Sequence, residues 1–81
     1  MRTLGGMPRR DPLLTALGRR VRSLREGESL TQEQLGEKAE LDQTYVSDIE
    51  RGERNPSVLI LGQLAKAFRI SLSELFAGVG Q

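Results

Sequence analysis

From Asp11 onward, apolar residues recur at intervals of three and four, the period of an amphipathic helix. Leu14, Leu17, Val21 and Leu24 form the first stripe, with Arg19 and Arg22 directed away from it and Arg20 and Arg25 on its flanks. Asp11-Pro12 ahead of the stripe supplies an N-cap and a residue suited to the first helical position, and Gly27 supplies a stop. Thr31 and Gln34 make a capping box, so a second helix begins near Gln32 and turns Leu35 and Ala39 inward. Glu40-Leu41-Asp42 interrupts it, and Asp42 is placed to cap a third helix. There Val46 and Ile49 face inward, while Gln43, Thr44, Ser47 and Asp48 face outward. Gly52 ends this helix, and Glu53-Arg54-Asn55-Pro56 reads as a loop. Ser57 caps a fourth helix with Val58, Leu61, Leu64, Ala65 and Phe68 inward. Ser71 and Glu74 form a second capping box, for a short fifth helix ending near Phe76.

No run has the period of two that marks a strand, and no repeat recurs at a fixed spacing. The pattern therefore predicts an all-α fold, a compact bundle of five short helices. Residues 1–10 have no periodicity and contain Gly5, Gly6 and Pro8; they read as a flexible arm carrying Arg2, Arg9 and Arg10. Residues 11–76 form the helical domain, and 77–81 read as a tail.

Composition narrows the chemistry. With 81 residues there is room for at most one domain, and a core this small often gains from dimerisation. Cys is absent, which removes a disulfide framework and a thiolate nucleophile. His is absent as well, so the ordinary zinc, iron–sulfur and haem ligand sets are missing, together with the commonest general acid/base. No cofactor is expected. No stretch approaches the ~20 apolar residues that cross a bilayer, and the basic N-terminus lacks the apolar run of a secretory signal. The expectation is a cytoplasmic protein with no membrane partner.

The net charge of +1 conceals an asymmetry. Residues 1–30 carry seven Arg against three acids, residues 31–56 carry three basic residues against seven acids, and residues 57–81 are close to neutral. Such a distribution fits either one face for a polyanion or an ordinary solvated surface.

The segment 32–51, QEQLGEKAELDQTYVSDIER, concentrates the functional signal. A helix of about two turns meets a tight turn and a second helix. Gly36 is small where the two must approach. Leu35, Ala39, Leu41, Val46 and Ile49 converge on a shared interior, and Val46 is β-branched mid-helix, where propensity alone would not select it. This is the pattern of a helix-turn-helix, whose second helix enters the DNA major groove.

On these residues the chain resembles the lambda Cro/C1-type (XRE-like) repressors. The resemblance runs from Leu17 to Phe76. It rests on TQEQL, on LDQTYVSDIERGERNPS and on LAKAFRISLSELF, and within it DQTYVSDIERG is most similar to the controller proteins of restriction–modification systems. The resemblance implies a lambda repressor-like domain and a DNA-binding transcriptional regulator. It departs from the family at Glu40, where Gly is common because the residue adopts a left-handed conformation; a side chain there costs roughly 1 kcal/mol.

The resemblance further implies base contacts from Gln43, Thr44 and Ser47, with Asp48 joining them where it faces a cytosine amine. Gln pairs bidentately with adenine, Thr and Ser donate or accept, and the Thr methyl touches the thymine methyl. It also implies a phosphate contact at Gln32, at the start of the second helix, with a buttressing bond to Gln43. Arg51, Arg54 and Asn55 follow the reading helix and are placed to grip the backbone. Arg51 has a rival role in an ion pair with Glu50 or Glu53. Tyr45 either bonds a phosphate through its hydroxyl or packs its ring.

The acidic middle segment opposes a phosphate backbone, so a single protomer should bind weakly. Two protomers with reading helices ~34 Å apart would address a pseudo-palindromic operator. The candidate interface is Leu59, Ile60, Ile70, Leu72 and Phe76, because Val58-Leu59-Ile60-Leu61 is more apolar surface than one inner stripe can bury. Leu59 or Ile60 could instead cap the monomer core. The expected partners are a double-stranded DNA operator and a second copy of the chain, with no small-molecule effector apparent. An antitoxin-like interaction module of the same fold is the alternative function. An enzyme is not expected: Ser47 beside Asp48 lacks a base, and Gly5-Gly6 lacks the context of a phosphate loop.

Overall fold

In the computed structural model, which describes residues 11–80, five helices follow one another in the order α1 (Pro12–Gly27), α2 (Gln32–Ala39), α3 (Gln43–Glu50), α4 (Val58–Phe68) and α5 (Leu72–Leu75). No strand occurs among the described residues. The basic arm expected at 1–10 lies outside them.

Four of the five helices start at a side-chain cap. Asp11 Oδ1 accepts from the Leu13 amide at 2.8 Å, and Ser57 Oγ from the Ile60 amide at 3.2 Å. Thr31 with Gln34 and Ser71 with Glu74 both close reciprocal capping boxes. Each cap satisfies amide groups that a helix start leaves unpaired and contributes about 1 kcal/mol. The exception is α3. Asp42 occupies the N-cap position with extended backbone, but its carboxylate makes no cap bond, contrary to expectation. The start of α3 rests instead on the burial of Val46 and Ile49, consistent with short helices depending on tertiary packing.

Leu17 and Val21 of α1, Leu35 and Ala39 of α2, Val46 and Ile49 of α3, Leu61, Leu64, Ala65 and Phe68 of α4 and Leu75 of α5 form a single core. Each fully buried Leu, Ile or Val stabilises the fold by about 1.5–3 kcal/mol. Two inner positions differ from the sequence reading. Val58 is 70% exposed although it lies three residues before Leu61, because it stands in the first turn of α4, where no other helix among the described residues covers it. Leu75 is fully buried because α5 folds back onto the core. Arg20 of α1 fastens that helix, donating from Nη2 to the Glu74 carbonyl at 2.7 Å and from Nε to the Leu75 carbonyl at 3.3 Å. Both carbonyls lie in the last turn of α5, where helical pairing is incomplete. Val79, beyond α5, also packs against the core.

The α2–α3 turn depends on Gly36 and Glu40. A Cβ on Gly36 would lie 2.6 Å from the Leu41 carbonyl oxygen, so no larger residue fits without moving backbone. Glu40 has φ 60° and ψ 42°, the left-handed conformation anticipated for that position. The Leu41 amide then bonds the Gly36 carbonyl at 2.8 Å, and Gln63 of α4 donates to the Ala39 carbonyl at 2.8 Å. Both bonds complete the end of α2. At the end of α1, the left-handed residue is Ser29, not Gly27.

Candidate nucleic-acid interface

Two close contacts set the orientation of α3. The first is with α1 at Gly18, where an added Cβ would stand 2.5 Å from the Ile49 carbonyl oxygen and 2.6 Å from that of Glu50. The absence of a side chain lets the backbones of α1 and α3 meet. The second is an ion pair. Arg25 donates from Nε to Glu50 Oε2 at 2.6 Å and from Nη2 to Glu50 Oε1 at 3.0 Å, a two-pronged arrangement with strong directional preference. The side chains are 12% and 3% exposed. Arg25 Nη1 also reaches the Leu30 carbonyl at 2.8 Å. The bond to Glu50 raises the pKa of Arg25 above the ordinary guanidinium value, against a lowering by burial. Arg25 therefore stays charged at any working pH.

Gln32, at the start of α2, completes this network. Its Nε2 donates to Glu50 Oε1 at 3.0 Å. The expected buttress to Gln43 is thus replaced by one to the opposite end of α3, because Glu50 supplies a buried, charged acceptor. The same geometry settles the ion pair of Arg51: Glu50 is held by Arg25, and Arg51 pairs with Asp48 and Glu53.

With α3 anchored on its inner side, its outer side carries the predicted reading residues. Gln43 and Thr44 are exposed in the first turn, without a bond from either side chain to the rest of the protein among the described residues. Ser47 and Asp48 follow one turn later and are half-buried. Both are engaged: Ser47 Oγ accepts from Arg51 Nη1, and Asp48 accepts from Arg51 at 2.7 Å and from Arg54 at 3.1 Å. Tyr45 is half-buried and its ring packs against the core. The Arg54 guanidinium lies over that ring, 4.3 Å from its centre. Arg51, Arg54 and Asn55 are exposed beyond the C-terminal end of α3.

Away from this face, Leu59 is 80% exposed, and Val58, Leu72 and Phe76 are also exposed, whereas Ile60 and Ile70 pack partly against the core. Among the described residues there is no group of side chains suited to hold a metal ion, and no helix long and apolar enough to cross a membrane.

Sequence reasoning missed Gly18 and the partnership of Arg25 with Glu50. The signal for Arg25 was its position four residues after Val21, on the edge of the apolar stripe. Gly18 beside Leu17, on the face that turns inward, was the corresponding sign of a close helix contact.

Comparison with known proteins bears on this arrangement. Residues 21–75 match a family model described as helix-turn-helix. The chain is 42% identical over 59 residues to the immunity repressor protein of Bacillus phage phi105, covering 73% of this chain and 41% of the repressor; it therefore spans well under half the length of that relative. The crystal structure of the restriction–modification controller protein C.AhdI from Aeromonas hydrophila is similar at a TM-score of 0.76 and 43% identity, covering 78% of this chain and 96% of that one. The controller protein C.Esp1396I, solved as a tetramer in complex with its natural 35 base-pair operator, is similar at a TM-score of 0.78 and 32% identity, with coverage of 85% and 91%.

Proposed function

Because the chain belongs to the helix-turn-helix family, we propose that it is a sequence-specific transcriptional regulator which inserts α3 into the major groove of an operator, acting as a homodimer on a pseudo-palindromic site. Likeness over almost the whole of C.AhdI, and to an operator-bound controller, supports the narrower assignment to control of a restriction–modification operon. The assignment is to a binding protein and includes no catalytic step. It acts inside the cell, where the operator is.

The observation that carries the reading is the condition of Gln43 and Thr44. They are exposed, polar and uncharged at the N-terminal end of a helix whose other side is locked to α1 and α2. Side chains that are to discriminate base edges need a rigid mount and free hydrogen-bonding groups, and these have both. Gln32, Tyr45, Arg51, Arg54 and Asn55 surround that end and the opposite end of α3, where they contact phosphates and fix its register. The exposed apolar residues Leu59, Leu72 and Phe76, with Ile60 and Ile70 at their margin, form the face that a second copy covers.

Selection of bound duplexes from a random pool tests the reading. Enrichment of a two-fold symmetric sequence with half-sites about one helical turn apart is expected. Recovery of unenriched DNA would overturn it in favour of an interaction module.

A further inference from the structure

Asp48 is the acid on the outward side of α3, and both its oxygens are occupied. Oδ1 accepts from Arg51 Nη2 at 2.7 Å and Oδ2 from Arg54 Nη2 at 3.1 Å. The Asp48 side chain is 20% exposed, against 50% for Arg51 and 44% for Arg54. The carboxylate thus lies beneath two cations that stand toward solvent. Arg51 has a second carboxylate in Glu53, 3.1 Å from its Nε, whereas Arg54 pairs with Asp48 while resting on Tyr45.

A carboxylate that accepts from a guanidinium presents it with the same kind of acceptor as a phosphate. Either arginine can turn fully to a DNA phosphate only by leaving Asp48. The carboxylate left behind repels the incoming backbone unless it finds a donor of its own. In the major groove such donors exist, as the amines of cytosine and adenine, and their positions depend on sequence. On a correctly read site the exchange is completed on both sides. On any other site the carboxylate is stranded.

Resting on the DNA-binding reading above, we propose that Asp48 is a specificity-determining residue, an internal competitor that holds Arg51 and Arg54 back from the backbone of non-cognate DNA. The repulsion penalises binding that relies on phosphates alone, and the penalty is relieved where base edges accept the carboxylate. The acidic side chain that appears misplaced beside a polyanion then has a function in discrimination.

The test compares the wild-type chain with D48N by fluorescence anisotropy. One probe is the duplex selected by the wild-type protein, the other a scrambled duplex of equal length, each titrated between 50 and 200 mM salt. D48N should bind the scrambled duplex ~3- to 10-fold more tightly, the scale of two exposed ion pairs. Its salt dependence should steepen by up to about one unit per protomer. Its preference for the selected duplex should fall. In an R51A/R54A background D48N should still relieve the repulsion but should no longer steepen the salt dependence, which places that steepening on the two released arginines. Unchanged binding to the scrambled duplex, or equal shifts on both probes, overturns the proposal while leaving the DNA-binding reading intact. A wild-type protein without preference between the probes overturns both. D48S repeats the comparison should the amide disturb α3, and unchanged melting of the variant used secures the comparison.

Discussion

Arg25 and Glu50 stand twenty-five residues apart in the chain and meet through two hydrogen bonds, of 2.6 and 3.0 Å, on the concealed side of α3. The pair joins α1 to the end of the helix that carries Gln43 and Thr44, and Gln32 extends the same network to α2. Helix α3 is therefore held at its far end by charge and along its length by Val46 and Ile49.

Removing one member of the pair leaves the other buried without its counter-charge. R25A or E50A should destabilise the domain by about 3 kcal/mol, the lower end of the range for a broken buried pair. Guanidinium chloride melts measure the loss. R25K should recover little, since an ammonium cannot reproduce the two-pronged contact. Melting curves of both variants matching wild type would remove the pair from the account of how α3 is held.

Gly18 gives a second test of that mount. In G18A the new methyl group would meet the carbonyl oxygens of Ile49 and Glu50 at 2.5 and 2.6 Å, and both are backbone. Relief requires α1 and α3 to separate, at a cost of about 1–3 kcal/mol. DNA affinity should fall more than stability does, because α3 moves relative to α2. Thermal melting and anisotropy on the selected duplex together separate the two effects.

Glu40 should respond in the opposite direction. Its left-handed backbone is natural for glycine and strained for a glutamate. E40G should raise stability by about 0.5–1 kcal/mol, the relief of strain being partly offset by the greater freedom of glycine in the unfolded chain. A melting temperature higher by roughly 2–8 °C is the corresponding signal for a domain of this size.

At the reading face, Q43A and T44A should leave melting unchanged and weaken binding to the selected duplex by about 1–3 kcal/mol, with relaxed preference at one position of each half-site. Equal losses on scrambled DNA would show that these residues do not read bases.

The apolar face is tested by L59K. Leu59 is exposed and contributes little to the core of one protomer, so the folded domain should persist with a near-normal melting profile. Sedimentation should show a shift from dimer to monomer, and binding to a two-half-site duplex should drop to the level of a single half-site. A variant still dimeric at micromolar concentration would move the interface elsewhere.

Much of this molecule could be read from local pattern. The caps at Asp11, Thr31, Ser57 and Ser71, the inward positions Leu35, Val46, Ile49 and Leu64 and the outward set Gln43, Thr44, Ser47 and Asp48 all follow from helical spacing and cap chemistry. Those signals lie within a few residues of the positions they govern. Other features join distant parts of the chain and have no such signal. Spacing could not show that Arg25 faces Glu50, that Arg20 fastens α5, or that Gly18 admits the backbone of α3.

What the amino-acid order determined by itself was where each helix starts and which side of it seeks the interior, because those depend on hydrogen bonds and burial within one or two turns. Tertiary structure alone decided which charges distant in the chain are partners. A side chain on the edge of an apolar stripe can remain in water or pair across the core, and the choice depends on what the neighbouring helix brings within 3 Å. For Arg25 it was Glu50 of α3. Packing likewise left Val58 uncovered and buried Leu75, since a helix's inner side is protected only as far as another element extends over it.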